Sequence, residues 1–223
     1  MRHLALAGLL MLAAIPAMAA KSPAPYLGLN LHVNSPTADF ANTDLVDKQA
    51  GARTGWGGEA DLGIDCRPGS VYVGYSWGRH DADARGQDRN INDWTVSRGI
   101  LGARLHIFGT TESPIVPIVG GGATIGNSRY TARVSDDGGI TYVDRKQTSE
   151  NSIGWFLEGG AILRSSGPLS VLGSLQYHNF NADFKPVLDI DRVKVSYVTF
   201  QLGIRYNLGS SESNDHDNDN DHY

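Results

Sequence analysis

The sequence predicts an all-β fold, an eight-stranded antiparallel transmembrane β-barrel with short turns at one end and long loops at the other. Three observations predict it. Runs in which apolar and polar residues alternate recur eight times, each bounded by turn-forming residues. No apolar run beyond the first residues is long enough for a membrane-crossing helix, so a chain that meets lipid must do so as a closed barrel. The connections between the runs alternate between tight and long.

The first residues read as an export signal, not as part of the fold. Arg2 and His3 give a short basic start, residues 4–15 are apolar, and Ala17-Met18-Ala19 supplies the small residues a signal peptidase needs. Cleavage is expected before Ala20, so residues 1–19 are the signal, 20–209 the barrel domain and 210–223 an acidic tail expected to be disordered. Cys66 is the single cysteine, so an intramolecular disulfide is excluded. Net charge is −5, and Glu212, Asp215, Asp217, Asp219 and Asp221 place five negative charges in the tail. The body is therefore nearly neutral, and nothing in it suggests a nucleic-acid surface.

The eight runs cover residues 25–33, 53–65, 70–79, 93–108, 114–126, 150–164, 168–180 and 193–208. Links 66–69, 109–113 and 165–167 are tight, whereas 34–52, 80–92, 127–149 and 181–192 are long and polar. An even strand number returns both ends of the mature chain to the short-turn side, the periplasmic one for an exported barrel.

Period-2 alternation divides most runs into two faces. In the second, Trp56, Ala60, Leu62 and Ile64 oppose Glu59, Asp61 and Asp65; in the sixth, Trp155, Leu157, Ala161 and Leu163 oppose Glu158 and Arg164. In the last, Val198, Phe200, Leu202, Ile204, Tyr206 and Leu208 oppose Thr199, Gln201, Gly203, Arg205 and Asn207. The fifth run, around Gly120-Gly121-Gly122, shows no sidedness. Alternation alone leaves a soluble barrel with an apolar interior as the rival. Two features favour the lipid-facing sense. Lys21, Lys48, Lys146, Lys185 and Lys194, the full set of lysines, fall in loops, tails or strand ends, whereas a water-facing sheet scatters them along its length. Trp56, Trp77 and Trp155 lie on apolar faces near the long-loop end and, with Tyr206, are expected to form an aromatic girdle.

The closing strand reads Gln201-Leu202-Gly203-Ile204-Arg205-Tyr206-Asn207-Leu208. With the topology, it resembles the small outer-membrane β-barrel family typified by the OmpA transmembrane domain, OmpX and the opacity-type porins. The resemblance covers residues 25–208. It implies a Gram-negative outer-membrane location, contact with outer-membrane lipid and lipopolysaccharide, and an insertion signal at Gln201, Gly203, Tyr206 and Leu208 read by the barrel-assembly machinery. The chain departs from that motif in having Leu208 where the family has an aromatic, with fifteen residues following.

With polar faces inward, the middle of the lumen receives Glu59, Asp61 and Glu158 together with Arg98, Arg104 and Arg205. An eight-stranded barrel is only wide enough for side chains to fill it. Isolated charges there are expensive, so these six are expected to pair as a structural network, joined by Asn30, His32, Gln176 and His178. Catalysis finds little support. His178 and His106 accompany Ser170, Ser174 and Ser97, but there is no Gly-x-Ser-x-Gly elbow, and Asn179 and Phe180 follow His178 where lipid A deacylases carry His-x-Ser. In the tail, Asp215, Asp217 and Asp219 have the spacing that begins a calcium loop but lack its glycine and closing glutamate, and His216 and His222 offer at most weak metal donors. No catalytic residue, cofactor or metal is therefore expected. The expected role is a non-enzymatic one in envelope integrity or surface interaction, with any extracellular partner meeting the loops. The alternatives are a narrow conduit for small solutes and a lipid A-modifying enzyme.

Overall fold

The computed structural model describes residues 23–41, 51–66, 68–82, 93–107, 113–135, 142–184 and 192–208. They form one closed antiparallel sheet. Strands β1 (Ala24–Thr37), β2 (Ala52–Asp65), β3 (Gly69–Ala82), β4 (Asp93–His106), β5 (Ile115–Ser135), β7 (Ser152–Arg164), β8 (Leu169–Asp183) and β9 (Arg192–Asn207) follow one another around the ring. Pairing of β1 with β9, from Tyr26 opposite Asn207 to Thr37 opposite Ser196, closes it. Closure leaves no edge in the ring itself, the condition for a sheet to cross an apolar medium.

The sheet is inverted relative to a soluble barrel. Leu29, Leu31, Leu62, Val73, Leu101, Ile125, Leu157, Leu175, Phe200, Leu202 and Ile204 are all exposed on the outside, Leu31 to 73%. Asn30, Glu59, Asp61, Arg98, Arg104, Glu158, Gln176, Gln201 and Arg205 are buried on the inside. So wide an apolar exterior is far beyond what a water-soluble monomer tolerates, and it is satisfied by lipid.

Glycine is placed to make room for inward aromatic rings. Tyr26 lies opposite Gly63, Tyr72 opposite Gly102 and Phe156 opposite Gly122. A Cβ on any of these glycines would meet the facing ring at 2.5–2.8 Å, inside van der Waals contact. The crowded lumen thus accommodates aromatic rings by removing the side chain across from each one.

The fifth sequence run has no sidedness for a reason the structure supplies. Val116 and Ile118 point inward near the short turns while Ile115 and Val119 point outward, so both faces are apolar there. Two further departures concern the loops. The segment 127–149, expected as a loop, is largely strand: β5 continues to Ser135 and pairs with β6 (Tyr142–Thr148), from Arg129 opposite Thr148 to Ser135 opposite Tyr142. Its residues alternate Tyr130, Ala132 and Val134 with Arg129, Thr131 and Arg133, a strand pattern on a ribbon that outgrows the barrel. In the first long loop, α1 (Ala38–Ala41) makes a short helical turn that carries Phe40 back over the barrel mouth. Ala38, at its start, has φ 49°, a left-handed conformation that a residue with a Cβ adopts at a penalty of about 1–2 kcal/mol.

Candidate functional site

Among the described residues, buried polar chemistry gathers in the lumen, and it is stacked in layers. At the short-turn end, Val116, Ile118, Ile162 and Leu172 form an apolar floor. Above them lies a charged centre built from β4 and β7. Arg104 Nε donates to Glu158 Oε2 at 2.7 Å and its Nη2 to Glu158 Oε1 at 3.3 Å, with neither side chain exposed. Such a bidentate fork is the geometry in which a buried pair recovers most of its desolvation penalty. Arg104 also donates to Tyr26 Oη at 3.4 Å, and its guanidinium sits 4.0 Å from the centre of the Tyr72 ring.

From Glu158 a chain of amides runs around the wall. Gln176 Nε2 donates to Glu158 Oε1 at 3.2 Å and to Gln201 Oε1 at 2.6 Å, and Gln201 Nε2 donates to Glu59 Oε1 at 3.2 Å. Asn30 Nδ2 donates to Asp61 Oδ2 at 2.9 Å. The six charged residues therefore do not sort into three acid–base pairs. Arg104 and Glu158 join directly, Glu59 is held by Gln201, and Asp61 by Asn30. Arg205 lies over the Tyr26 ring at 3.6 Å, a cation–π contact in which an aromatic face substitutes for a carboxylate.

Arg98 sits above this centre among neutral partners. Its Nη1 donates to His178 Nδ1 at 2.8 Å, its Nη2 to Ser76 Oγ at 3.5 Å, and Ser76 Oγ lies 3.3 Å from His32 Nε2. Because arginine only donates, His178 Nδ1 accepts and Nε2 carries the hydrogen, which it gives to Gln176 Oε1 at 2.9 Å. Both nitrogens of His178 are thereby committed, and its ring stacks between Phe156 and Tyr197. Among the described residues, no serine hydrogen-bonds to it. Ser174 Oγ instead donates to Gln201 Oε1, and His106 Nδ1 lies 3.9 Å from Asp65. Among the described residues, no group of three or more His, Cys, Asp or Glu side chains is placed to hold a metal. The tail residues Asp215, Asp217, Asp219, His216 and His222 and the signal lie outside the described residues.

The long-loop end is closed by aromatic packing. Phe40 lies edge-on to His80 and Trp94 at centroid distances of 5.3 and 5.5 Å, and Trp94 packs on Tyr130 and Phe184. Phe180, Val193, Val195 and Tyr197 complete the cluster. Sequence reasoning missed this layer because it followed charge. The alternation that places Glu59 inside also puts Trp94, Tyr130 and Tyr197 inside.

The expected girdle residues all lie outside. Trp56 is exposed and meets Trp77 edge-to-face at 5.5 Å, Trp155 packs on Tyr177 at 5.6 Å, and Tyr206 is exposed at the short-turn end. In the closing strand, Gln201 points into the lumen opposite His32 while Tyr206 and Leu208 face out, and Gly203 admits Asn30, whose Oδ1 would clash with any Cβ there.

Comparison with known proteins gives a consistent picture. The sequence profile of the outer membrane protein beta-barrel domain matches residues 5–207. The fold is similar to the crystal structure of Neisserial surface protein A, with a TM-score of 0.54 and 15% identity over 83% of this chain and 99% of that one. It is also similar to the crystal structure of the outer membrane protein OprG from Pseudomonas aeruginosa, with a TM-score of 0.54 and 13% identity over 85% of this chain and 98% of that one. No curated protein matches the chain by sequence.

Proposed function

The chain belongs to the outer membrane protein β-barrel domain family, and within it we propose a non-enzymatic barrel with a closed lumen that acts at the cell surface through its long loops. The observation that carries this reading is the filled interior. An apolar floor, a charged centre anchored by Arg104 and Glu158, and an aromatic cap at Phe40 and Trp94 succeed one another along the axis. A solute would have to displace all three layers, which supports a scaffold over a conduit. The histidine best placed for catalysis, His178, spends both nitrogens on Arg98 and Gln176, which supports a structural role for it.

In this reading both mature termini are periplasmic and the long loops are extracellular, the orientation in which outer-membrane barrels keep short turns inside. The outer face, with Trp56, Trp77 and Trp155 near the loops and Tyr206 near the turns, contacts lipid and lipopolysaccharide. The closing strand from Gln201 to Leu208 serves the barrel-assembly machinery as its insertion signal.

The test is complementation of a deletion strain with either the unaltered gene or one whose residues 42–50 and 83–91 are replaced by tight turns. Surface adhesion restored only by the unaltered gene, with both proteins recovered in the outer membrane, supports a loop-borne function. Equal restoration by both would overturn it.

A further inference from the structure

The aromatic cap is more than a seal. Phe40 does not belong to any barrel strand. It is brought into the mouth by the four-residue turn α1, entered through the left-handed Ala38, and it is buried as completely as a core residue. Around it stand His80, Trp94 and Tyr197, with ring centroids at 5.3, 5.5 and 6.3 Å, and behind Trp94 stand Tyr130 and Phe184. Removing Phe40 would leave a ring-sized gap among these side chains.

Among the described residues, His80 brings an unspent polar atom to this gap. His80 is fully buried; its Nδ1 lies 3.0 Å from the Arg53 carbonyl oxygen, which can only accept, so Nδ1 carries the hydrogen and donates. Nε2 is then an acceptor, and it has no hydrogen-bond partner although it is shielded from solvent. A phenylalanine ring cannot satisfy it. A ring bearing an O–H or N–H on its edge can.

We propose that the mouth of the barrel is a binding site for a phenol- or indole-like group, with Phe40 as a resident plug that such a ligand displaces. The ring would take the place of the Phe40 ring against Trp94 and Tyr197, and its edge hydrogen would go to His80 Nε2. The strain at Ala38 and the shortness of α1 make the plug separable from the barrel wall, which is held by its own strand pairing. The pocket is blind because the Arg104–Glu158 layer lies beneath it, and in that respect alone the inference rests on the closed-lumen reading.

Titration of p-cresol and of toluene into the full-length protein in lipid nanodiscs, corrected with empty nanodiscs, tests this. A site whose open state is populated one time in ten or less gains about tenfold or more in apparent affinity when the plug is removed. Phe40→Ala is therefore expected to bind p-cresol at least about tenfold more tightly than the unaltered protein. It should prefer p-cresol to toluene, and lose that preference when His80→Phe is added. Equal affinity in Phe40→Ala and the unaltered protein, or a cresol preference that survives His80→Phe, would overturn the proposal. If Phe40→Ala does not fold, the unaltered protein decides: a nuclear Overhauser effect between p-cresol and the Trp94 indole supports the site, and its absence at saturating p-cresol overturns it. Planar-bilayer recording separates the two readings, because current through Phe40→Ala would overturn the closed lumen while the titration alone judges the site.

Discussion

Arg104 on β4 and Glu158 on β7 reach each other over one intervening strand through a two-pronged contact of 2.7 and 3.3 Å, with neither side chain exposed. Strand β5 lies between them in the wall and contributes Gly120, directly opposite both Arg104 and Glu158, so no intervening side chain blocks the reach. The fork, the Tyr72 ring under the guanidinium and the Gln176 amide on the carboxylate make this pair the anchor of the barrel interior.

Breaking that pair strands a buried charge. Arg104→Ala and Glu158→Ala are each expected to destabilise the barrel by about 3–5 kcal/mol. Replacing both residues by leucine removes the two charges together and is expected to recover much of the loss. Urea-induced unfolding in lipid vesicles, read by the loss of the folded band on unboiled gels, measures all three.

The glycine-for-ring exchange makes a second prediction. Gly102→Ala places a Cβ at 2.5 Å from the Tyr72 ring and is expected to lose about 1–3 kcal/mol through overpacking. Gly159→Ala points into open space and is the matched control, expected to leave the unfolding midpoint unchanged. A combined Gly102→Ala, Tyr72→Ala variant, which relieves the clash, should show non-additive losses when the same unfolding curve is measured.

A third prediction concerns the solvent of the outer face. Leu101, exposed to 61% near mid-strand, is expected to destabilise the folded barrel by about 2–4 kcal/mol when replaced by arginine. On a water-facing sheet the same change would be close to neutral. The difference in unfolding free energy between Leu101→Arg and the unaltered protein, measured in vesicles, distinguishes the two.

The strands of the barrel were legible in the sequence because lipid and lumen impose opposite polarity on alternate residues. That is why Glu59 beside Ala60, or Gln201 beside Leu202, already places the wall. The signal failed where one constraint lapsed. In β5, Val116 and Ile118 belong to an apolar floor, so both faces look alike and sidedness disappears. Beyond the ring, β6 carries the polar run Asp144-Arg145-Lys146-Gln147-Thr148, so alternation of polarity does not mark it as strand. The strand propensity of Tyr142, Val143 and Thr148, and the turn-favouring Asp137-Gly138 before them, were the available sign. Within the lumen, parity identified the members of the network but not their partners. Whether Arg205 meets a carboxylate or the Tyr26 ring depends on stagger between β1 and β9, which no single strand encodes. Phe40, carried in from a loop, has no periodic signature.

The central claim, a lumen closed along its whole length, is tested most directly by reconstituting the unaltered protein in planar bilayers and recording current under applied voltage. The layered packing predicts a silent membrane, with no steps above the lipid baseline while the protein runs as a folded band on unboiled gels. Stable, reproducible conductance steps from that folded protein would contradict it, and the barrel would then have to be read as a conduit.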